Sequence, residues 1–337
     1  MTEITLTLAQ VEQLAQSALE GAGASPVNAA SVARSTLRAE RDGIRSHGLM
    51  YVPIYAEHVV CGKVDGIAVP EVTRTRPGAI CVDAKSGFAH PAIDAGWSEL
   101  IGATRANGVA AMTIKNSYNC GVLGHHAERL AEDGLIGLCF THAPASIAPI
   151  GGKKPVIGTN PLSIAVPDGN GGATLVIDQS ASAIAKSEIM LRSRKGEDIE
   201  PGWALDENGN PTTDANAALK GSMVPSGGYK GFGAGLLVEI LAACMSGANL
   251  SKDASPFAGT KGGPPGTGQC FVAFDPGAFS ENFAERLQGL ASAITDQDGA
   301  RLPGARRIAN RQKLEEIGIA VDDELVLRIQ QFGSAKN

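Results

Sequence analysis

The stretch Arg41-Asp42-Gly43-Ile44-Arg45-Ser46-His47-Gly48 puts a titratable ring, a hydroxyl and a glycine side by side. A histidine gives or takes a proton near neutral pH. Its neighbour Ser46 can hydrogen-bond the ring and help set its tautomer, as partners of catalytic histidines do. The same residues also read as a plain helix end, with His47 as a cation near the last carbonyls and Gly48 at C′. A second stretch, Ser226-Gly227-Gly228-Tyr229-Lys230-Gly231-Phe232-Gly233, joins glycines to one lysine. Glycines let a backbone approach a phosphate, and the lysine adds a point charge. Its plain reading is a mobile turn before a helix. His125 and His126 are adjacent, so on a helix they point about 100° apart and make a poor metal pair. Helix surface or packing is the expected role for both. No metal site is expected anywhere, because no ligand cluster has the spacing for one. A G-x-G-x-x-G after a strand, a P-loop, an H-E-x-x-H and a G-x-S-x-G are all absent.

The elements that would position these groups follow from periodicity and caps. Thr7 caps a first helix whose apolar face is Val11, Leu14, Ala15, Ala18 and Leu19, ended by Gly21 and Gly23. Ser25-Pro26 is an N-cap and N1 pair for a second helix through Arg41. A third is read over 51–60. From about residue 70, short apolar runs between glycines and prolines read as strands at 79–82, 109–114, 136–140, 162–166, 174–177 and 269–274. Helical patterns fall at 91–107, 124–133 and 233–246. Beyond residue 280 the chain returns to helix, including short patterns near 309–317 and 323–331. Helical ends thus flank an α+β middle. The expected organisation is a helical unit at 1–74, to which 280–337 returns, around an α+β domain at 75–279.

The chain's 337 residues suffice for a large core and two domains, and 43% are hydrophobic, so it is globular rather than disordered. Aromatics are 4% against 42 glycines, which favours a backbone-rich architecture over an aromatic binding platform. A net charge of −6 leaves no basic footprint for nucleic acid. The six cysteines show no C-x-x-C spacing and sit mostly among apolar residues, so buried reduced thiols are expected. That implies a reducing compartment, the cytoplasm. The start lacks the pattern of a signal peptide. No apolar run reaches the roughly 18 residues of a membrane span, since Glu239 cuts the best candidate.

Six stretches, in order, carry a resemblance. They are Ser46-His47-Gly48, Lys115-Asn116-Ser117 with Cys120-Gly121-Val122-Leu123-Gly124, Gly158-Thr159-Asn160-Pro161, Asp178-Gln179-Ser180-Ala181-Ser182, Gly228-Tyr229-Lys230-Gly231 and Leu302-Pro303-Gly304. Together they resemble the malate/L-lactate dehydrogenase family of the non-Rossmann type. Nearest is its branch of Δ1-piperideine-2-carboxylate and Δ1-pyrroline-2-carboxylate reductases. The family also holds ureidoglycolate and sulfolactate dehydrogenases. The resemblance implies a mainly antiparallel, non-Rossmann sheet that binds a nicotinamide cofactor, helical termini forming a separate unit, and an interlocked homodimer. It also accounts for the missing dinucleotide fingerprint.

The resemblance assigns roles residue by residue. In the imine-reducing branch the histidine matching His47 donates the proton. Ser46 and an acid, for which Glu188 is the candidate, complete a relay; Glu188 also reads as a surface glutamate on a helix. Hydride addition to a C=N carbon leaves nitrogen needing a proton, and a carboxylate can stabilise the histidinium. Cofactor contacts are expected from Asn119, Cys120, Gly121, Val122 and Leu123. Asp178, Gln179 and Ser180 add to them, as do Lys230 and Gly231. The last set is Arg301, Leu302, Pro303, Gly304, Arg306 and Arg307. Arg306 and Arg307, planar multi-donor cations, suit phosphate, though a basic solvated loop reads equally well. Thr159 matches a substrate-contacting threonine.

Two positions depart from the family pattern. Many members place a carboxylate-binding arginine four residues after the histidine; here stands Tyr51, which offers one hydroxyl and no cation. Arg45 is the candidate substitute. Some hydroxy-acid dehydrogenases place a histidine where this chain has Asn119. The expected activity is NADPH-dependent reduction of a cyclic imino acid to L-proline or L-pipecolate, with NADH as the alternative donor. The rival readings are a 2-hydroxy-acid dehydrogenase of the malate, L-lactate, ureidoglycolate or sulfolactate type, and a catalytically dead metabolite-binding dimer.

Overall fold

The computed structural model describes residues 2–334. Strand β1 (Glu3–Leu6) leads into α1 (Leu8–Gly21), and Thr7 caps it reciprocally. The Thr7 hydroxyl accepts from the Gln10 amide, while the Gln10 side chain accepts from the Thr7 amide. Ser25 caps α2 (Pro26–Arg41), with Pro26 in the first turn. Both starts lie where the caps place them. The end of α2 lies at Arg41, where the sequence reading places it, but the plain reading of His47 and Gly48 as a helix end does not hold. The helix stops at Arg41, because Gly43 turns the backbone left-handed at φ +75°. Arg45–His47 forms its own 3-10 turn, and Leu49–Tyr51 a second, before α3 (Val52–Val60). His47 is therefore not the last residue of a long helix. Gly48, at φ −93°, is not a left-handed C′ glycine either.

The middle of the chain builds the sheet. Its strands are β2 (Glu71–Arg76), β3 (Ala79–Asp83), β4 (Val109–Ser117), β5 (Ile136–Thr141), β6 (Leu162–Pro167) and β7 (Ala173–Gln179). Helix α4 (Ala89–Asn107) connects β3 to β4, and α5 (Leu123–Glu132) connects β4 to β5. A late strand, β11 (Thr267–Phe274), inserts between β4 and β5, giving the order β2-β3-β4-β11-β5-β6-β7. Only β3–β4 is parallel. The parallel pair is the one joined by a helical crossover, as a parallel connection requires. The sheet is thus mainly antiparallel. Its main core, including Ile80, Val82, Met112, Ile114, Cys139 and Phe271, packs against the buried faces of α4 and α5.

Between β7 and β11 lies a smaller unit. It comprises α6 (Lys186–Lys195), β8 (Ala204–Leu205), β9 (Pro211–Thr212), α7 (Ala215–Lys220) and β10 (Ser222–Met223). Its own core gathers Ile147, Ile157, Ile189, Ile199 and Met223. Helix α8 (Tyr229–Glu239) follows and continues into a π turn at Ile240–Cys244. It begins earlier than the sequence pattern suggests, because the left-handed Gly227-Gly228 pair ends the turn at once.

The tail is α9 (Phe283–Thr295), α10 (Ala305–Ile317), β12 (Ile319–Asp322) and α11 (Asp323–Gly333). β12 pairs antiparallel with β1. Val11, Ala15 and Leu49 share a core with Ile319, Val326 and Ile329. The two ends of the chain therefore pack together. No described helix is long and apolar enough to cross a membrane.

Candidate active site

The 45–51 segment is fixed from below by Glu40 on α2. Its carboxylate accepts the Leu49 amide at 2.7 Å and is buried, which pushes its pKa up. Gly48 makes this approach available: a Cβ there would lie 2.1 Å from Glu40 Oε1. Above this anchor, Ser46 Oγ lies 3.0 Å from His47 Nδ1, so the pairing of hydroxyl and ring that the sequence suggested exists. His47 is half-buried. Burial holds its pKa below the ordinary histidine value, the charge of Asp178 opposes that shift, and His125 and Arg307 add to it.

Asp178 stands at the end of β7. Its Oδ2 accepts from the Gly124 amide at 3.0 Å and from Arg307 Nη2 at 3.0 Å. Gly124 opens α5, so a carboxylate sits at a helix N-terminus and beside a guanidinium, both favourable to its charge. A side chain at Gly124 would strike both groups, since its Cβ would lie 2.5 Å from Arg307 Nη1 and 2.7 Å from Asp178 Oδ2. Glu188, the relay candidate, lies in the first turn of α6 and bonds Arg192 Nε at 3.2 Å. The structure thus gives Glu188 a local partner and puts the carboxylate of Asp178 in the field of His47.

Behind His47 lies a buried charge network. Asp42 Oδ2 accepts from His125 Nε2 at 3.1 Å, and both Asp42 oxygens accept from Arg311 at 3.0 Å. Arg311 also bonds both oxygens of Glu128 at 3.0 Å. Bonds from His125 and Arg311 hold the Asp42 carboxyl below its usual range despite burial, and the two carboxylates push Arg311 up. This network ties α2, α5 and α10 together where the His47 segment begins. The sequence reading missed it, because its members are far apart in the chain. His126 is likewise buried, with Nε2 on the Cys120 carbonyl at 2.9 Å. Among the described residues, no group of three or more His, Cys, Asp or Glu has the geometry to hold a metal.

The chain that follows His47 enters a neutral, aromatic cluster through Tyr51, in the next 3-10 turn. Tyr51 packs on Tyr55 with ring centroids 4.7 Å apart, and Tyr55 packs on Tyr118 at 6.0 Å. Asn119 Oδ1 accepts from Gly121 N at 2.6 Å and from the Tyr55 hydroxyl at 3.4 Å. Burial pushes the Tyr51 phenol up, opposed by the neighbouring Asn119 and Tyr118. Arg45, the candidate cation, is exposed. Tyr55 and Tyr118 belong to this cluster although the sequence reading named neither.

The other cofactor candidates meet around the end of β7. The Thr159 carbonyl accepts from Ala181 N at 2.8 Å and from Ser180 Oγ at 3.1 Å. Ser226 N donates to the Ala181 carbonyl, and Gly231 packs so closely that its Cβ would lie 2.1 Å from the Ser226 carbonyl oxygen. Asn160 bonds the Gly235 carbonyl and Glu239, which fixes α8 beside Thr159. On the opposite side, Val176 N donates to the Pro303 carbonyl, and Gly304 lies against Val176. Leu302-Pro303-Gly304 thus lies against β7 and aims Arg307 at Asp178. Arg301, Arg306 and Lys230 are exposed and form no salt bridge with another described residue; Gln179 is exposed as well. Cys120, Val122 and Leu123 are buried. The exposed cations, the left-handed glycines at 121 and 228 and the N-terminus of α8 are donors of the kind that suit a phosphate, while the N-terminus of α5 is taken by Asp178.

Comparison with known proteins agrees with this geometry. A family model described as malate/L-lactate dehydrogenase matches residues 6–330. A (2R)-3-sulfolactate dehydrogenase (NADP(+)) from Chromohalobacter salexigens is 42% identical, over 95% of this chain and 96% of its own. A Δ1-pyrroline-2-carboxylate reductase from Ancylobacter novellus is 38% identical, over 98% of both chains. The crystal structure of a Δ1-piperideine-2-carboxylate reductase from Pseudomonas syringae superposes with a TM-score of 0.92 at 33% identity, covering 98% of this chain and 99% of that one.

Proposed function

The chain belongs to the malate/L-lactate dehydrogenase family, and on that premise we propose that it reduces a cyclic imino acid. The substrates are Δ1-pyrroline-2-carboxylate or Δ1-piperideine-2-carboxylate, and the products L-proline or L-pipecolate. The observation that carries this reading is His47 bonded to Ser46 and in the field of Asp178, in a segment whose next turn carries Tyr51 of the neutral cluster with Tyr55, Tyr118 and Asn119. A compact ring with one carboxylate suits such a cluster. A nicotinamide, when bound, supplies the hydride that C2 of the imine takes up. His47 delivers the proton to the ring nitrogen, and the Asp178 charge favours the histidinium that must exist beforehand. Thr159, Tyr51 and Arg45 are the substrate contacts. The segments 119–123, 178–180, 230–231 and 301–307 hold the cofactor. NADPH is the proposed donor, since Lys230 and Arg306 are cations free to meet an extra phosphate. Six free cysteines, three of them buried, suit a reducing cytoplasm.

A second reading is supported by the sulfolactate dehydrogenase relative at 42% identity. There His47 would serve as the base that takes a hydroxyl proton. The two readings part on substrate charge, because a sulfonate and a carboxylate together call for two cationic contacts. Oxidation of NADPH measured with the two imines, 3-sulfopyruvate, pyruvate and oxaloacetate separates them. Higher kcat/KM on an imine is expected; a preference for any 2-oxo acid would move the protein to the dehydrogenase class.

A further inference from the structure

Between the π turn and β11 the chain runs out into a long loop that the site described above does not use. At 255–264 no amide or carbonyl takes part in a backbone–backbone hydrogen bond, and 256 and 258–264 are exposed. A stretch so weakly tied to its surroundings opens easily unless side chains hold it. Two side chains from far earlier in the chain do so. Lys63, just past α3, donates from Nζ to the Pro256 carbonyl at 2.6 Å and to the Gly259 carbonyl at 3.0 Å. His58, on α3, bonds the same Gly259 carbonyl through Nε2 at 3.0 Å.

Lys63 is fully buried, and among the described residues its hydrogen-bond partners are those two carbonyls, with no carboxylate in reach. Burial pushes its pKa below the ordinary lysine value. An ammonium kept dry without a counter-ion works against stability. All its bonds go to the loop, so the loop is what it serves. His58 is buried as well. Burial holds its pKa below the ordinary histidine value; the Gly259 carbonyl opposes that shift and the Lys63 charge adds to it, so the ring is neutral at pH 7.5. A carbonyl only accepts, so Nε2 carries the proton, and Nδ1 accepts from the Tyr118 hydroxyl.

What these bonds keep in place is Phe257. It is the loop residue that joins the core of Leu19, Val32, Tyr55 and Phe88, and its ring lies 5.2 Å from that of Tyr118. Tyr118 is thus gripped twice, by Phe257 on its ring and by His58 on its hydroxyl. From Tyr118 the contacts run to Tyr55 at 6.0 Å and on to Tyr51 at 4.7 Å, between ring centroids. We propose that 255–264 is a strap seated on this aromatic cluster, with Lys63 and His58 as positioning residues that fasten it. Through Tyr118 and Tyr55 they set Tyr51, and so the substrate side of the site. The inference rests on the assignment of Tyr51 as a substrate contact. The bonds of both fasteners run to the loop and to Tyr118, so they bear on substrate affinity rather than on proton transfer at His47.

Chymotrypsin cutting between Phe257 and Ala258 reads the strap directly, because the Phe257 ring must leave the core to enter the protease. Lys63→Met keeps an unbranched side chain and removes the ammonium. In the full chain with NADPH at pH 7.5 it is expected to speed that cut about tenfold or more, with cutting elsewhere unchanged. KM is expected to rise about fivefold or more while kcat stays within about twofold of wild type. KM is taken with the best substrate among the two imines and three 2-oxo acids above. Failure of the imine reading would thus appear as a wild-type preference for a 2-oxo acid, with the effect of Lys63→Met intact. His58→Leu, which removes the bonds to Gly259 and Tyr118 together, repeats both measurements should Lys63→Met fold poorly. An unchanged cut would show that the loop is held without these fasteners and overturn the proposal. A faster cut with unchanged KM would overturn it too, since the strap would then not reach the substrate side. So would a fall in kcat at constant KM, which is not an effect on substrate affinity.

Discussion

At the scale of the residue, the chemistry rests on when His47 carries a proton. Burial lowers its pKa, so the protonated form fades as pH rises through a value under the ordinary 6.5. For reduction, in which His47 must donate, kcat/KM should therefore fall along a limb centred below that value. His47→Gln should lower kcat by about 10²-fold or more and flatten that limb, while cofactor affinity stays nearly constant. Unchanged kcat in this variant would remove His47 from the mechanism. A second measurement weighs the two acids. Asp178 raises the His47 pKa, so Asp178→Asn should move the limb to still lower pH and reduce kcat. Glu188, which bonds Arg192 on its own helix, is expected to have the smaller effect as Glu188→Gln. The reverse order would restore Glu188 as the relay acid. The reason one acid was legible and the other was not is geometric. Glu188 comes from matching a position along the chain. The approach of Asp178 to His47 exists only after β7 is laid in the sheet and α5 is docked on it.

At the scale of the element, the position of His47 depends on contacts that α2 makes beyond its own end. Gly48→Ala would bring a methyl group onto Glu40 Oε1, whose carboxylate is buried and bonded to the Leu49 amide. That carboxylate has little room to move, so the variant should lose about 1–3 kcal/mol in a urea titration and lose activity with it. Wild-type stability would show that the 45–51 segment yields easily. Arg311 presents a larger case, because it alone bonds two buried carboxylates, Asp42 and Glu128. Removing it as Arg311→Ala leaves Glu128 without its guanidinium and Asp42 with only His125 and Arg41, and should cost about 3 kcal/mol. The pH dependence has a definite sign. The Asp42 carboxyl is held below its usual 3.8 in the folded state, so its contribution is present above that pH and is lost as pH falls through the lowered value. Arg311→Ala should therefore flatten the acid limb of the stability curve; an unchanged limb would discount the network. These contacts also show which elements the sequence could reveal. Thr7 with Gln10, and Ser25 with Pro26, declare helix starts within a few residues. The pairing of β1 with β12 joins Glu3 to Asp322 and has no local signature. The break after Arg41 was legible in Asp42-Gly43, but the two 3-10 turns that follow it, at Arg45–His47 and Leu49–Tyr51, have no such local signature.

At the scale of the whole molecule, α8 is the element whose burial does not match its composition. Leu236, Leu237 and Ile240 are 42%, 47% and 51% exposed, and Met245 just beyond them is 51% exposed. Leu236 and Ile240 are four residues apart and Leu237 and Ile240 three, so the side chains form one stripe on a single face. Apolar side chains so grouped on a surface mark an interaction site more often than a solvated face. The helix that leads into them has Lys230 and Gly231 in its first turn and is fixed to Asn160, so whatever covers the stripe also steadies one side of the candidate cleft. A second copy of the chain is the occupant we propose, in line with the homodimer that the family resemblance implies. Light scattering of the active protein should give a mass about twice 34.6 kDa. Introducing charge with Leu237→Glu and Ile240→Glu together should give monomers, and activity should fall with the dimer, because α8 would lose its cover. An active wild-type chain of 34.6 kDa would remove the second copy from the mechanism. A dimer that survives both substitutions would move the interface elsewhere.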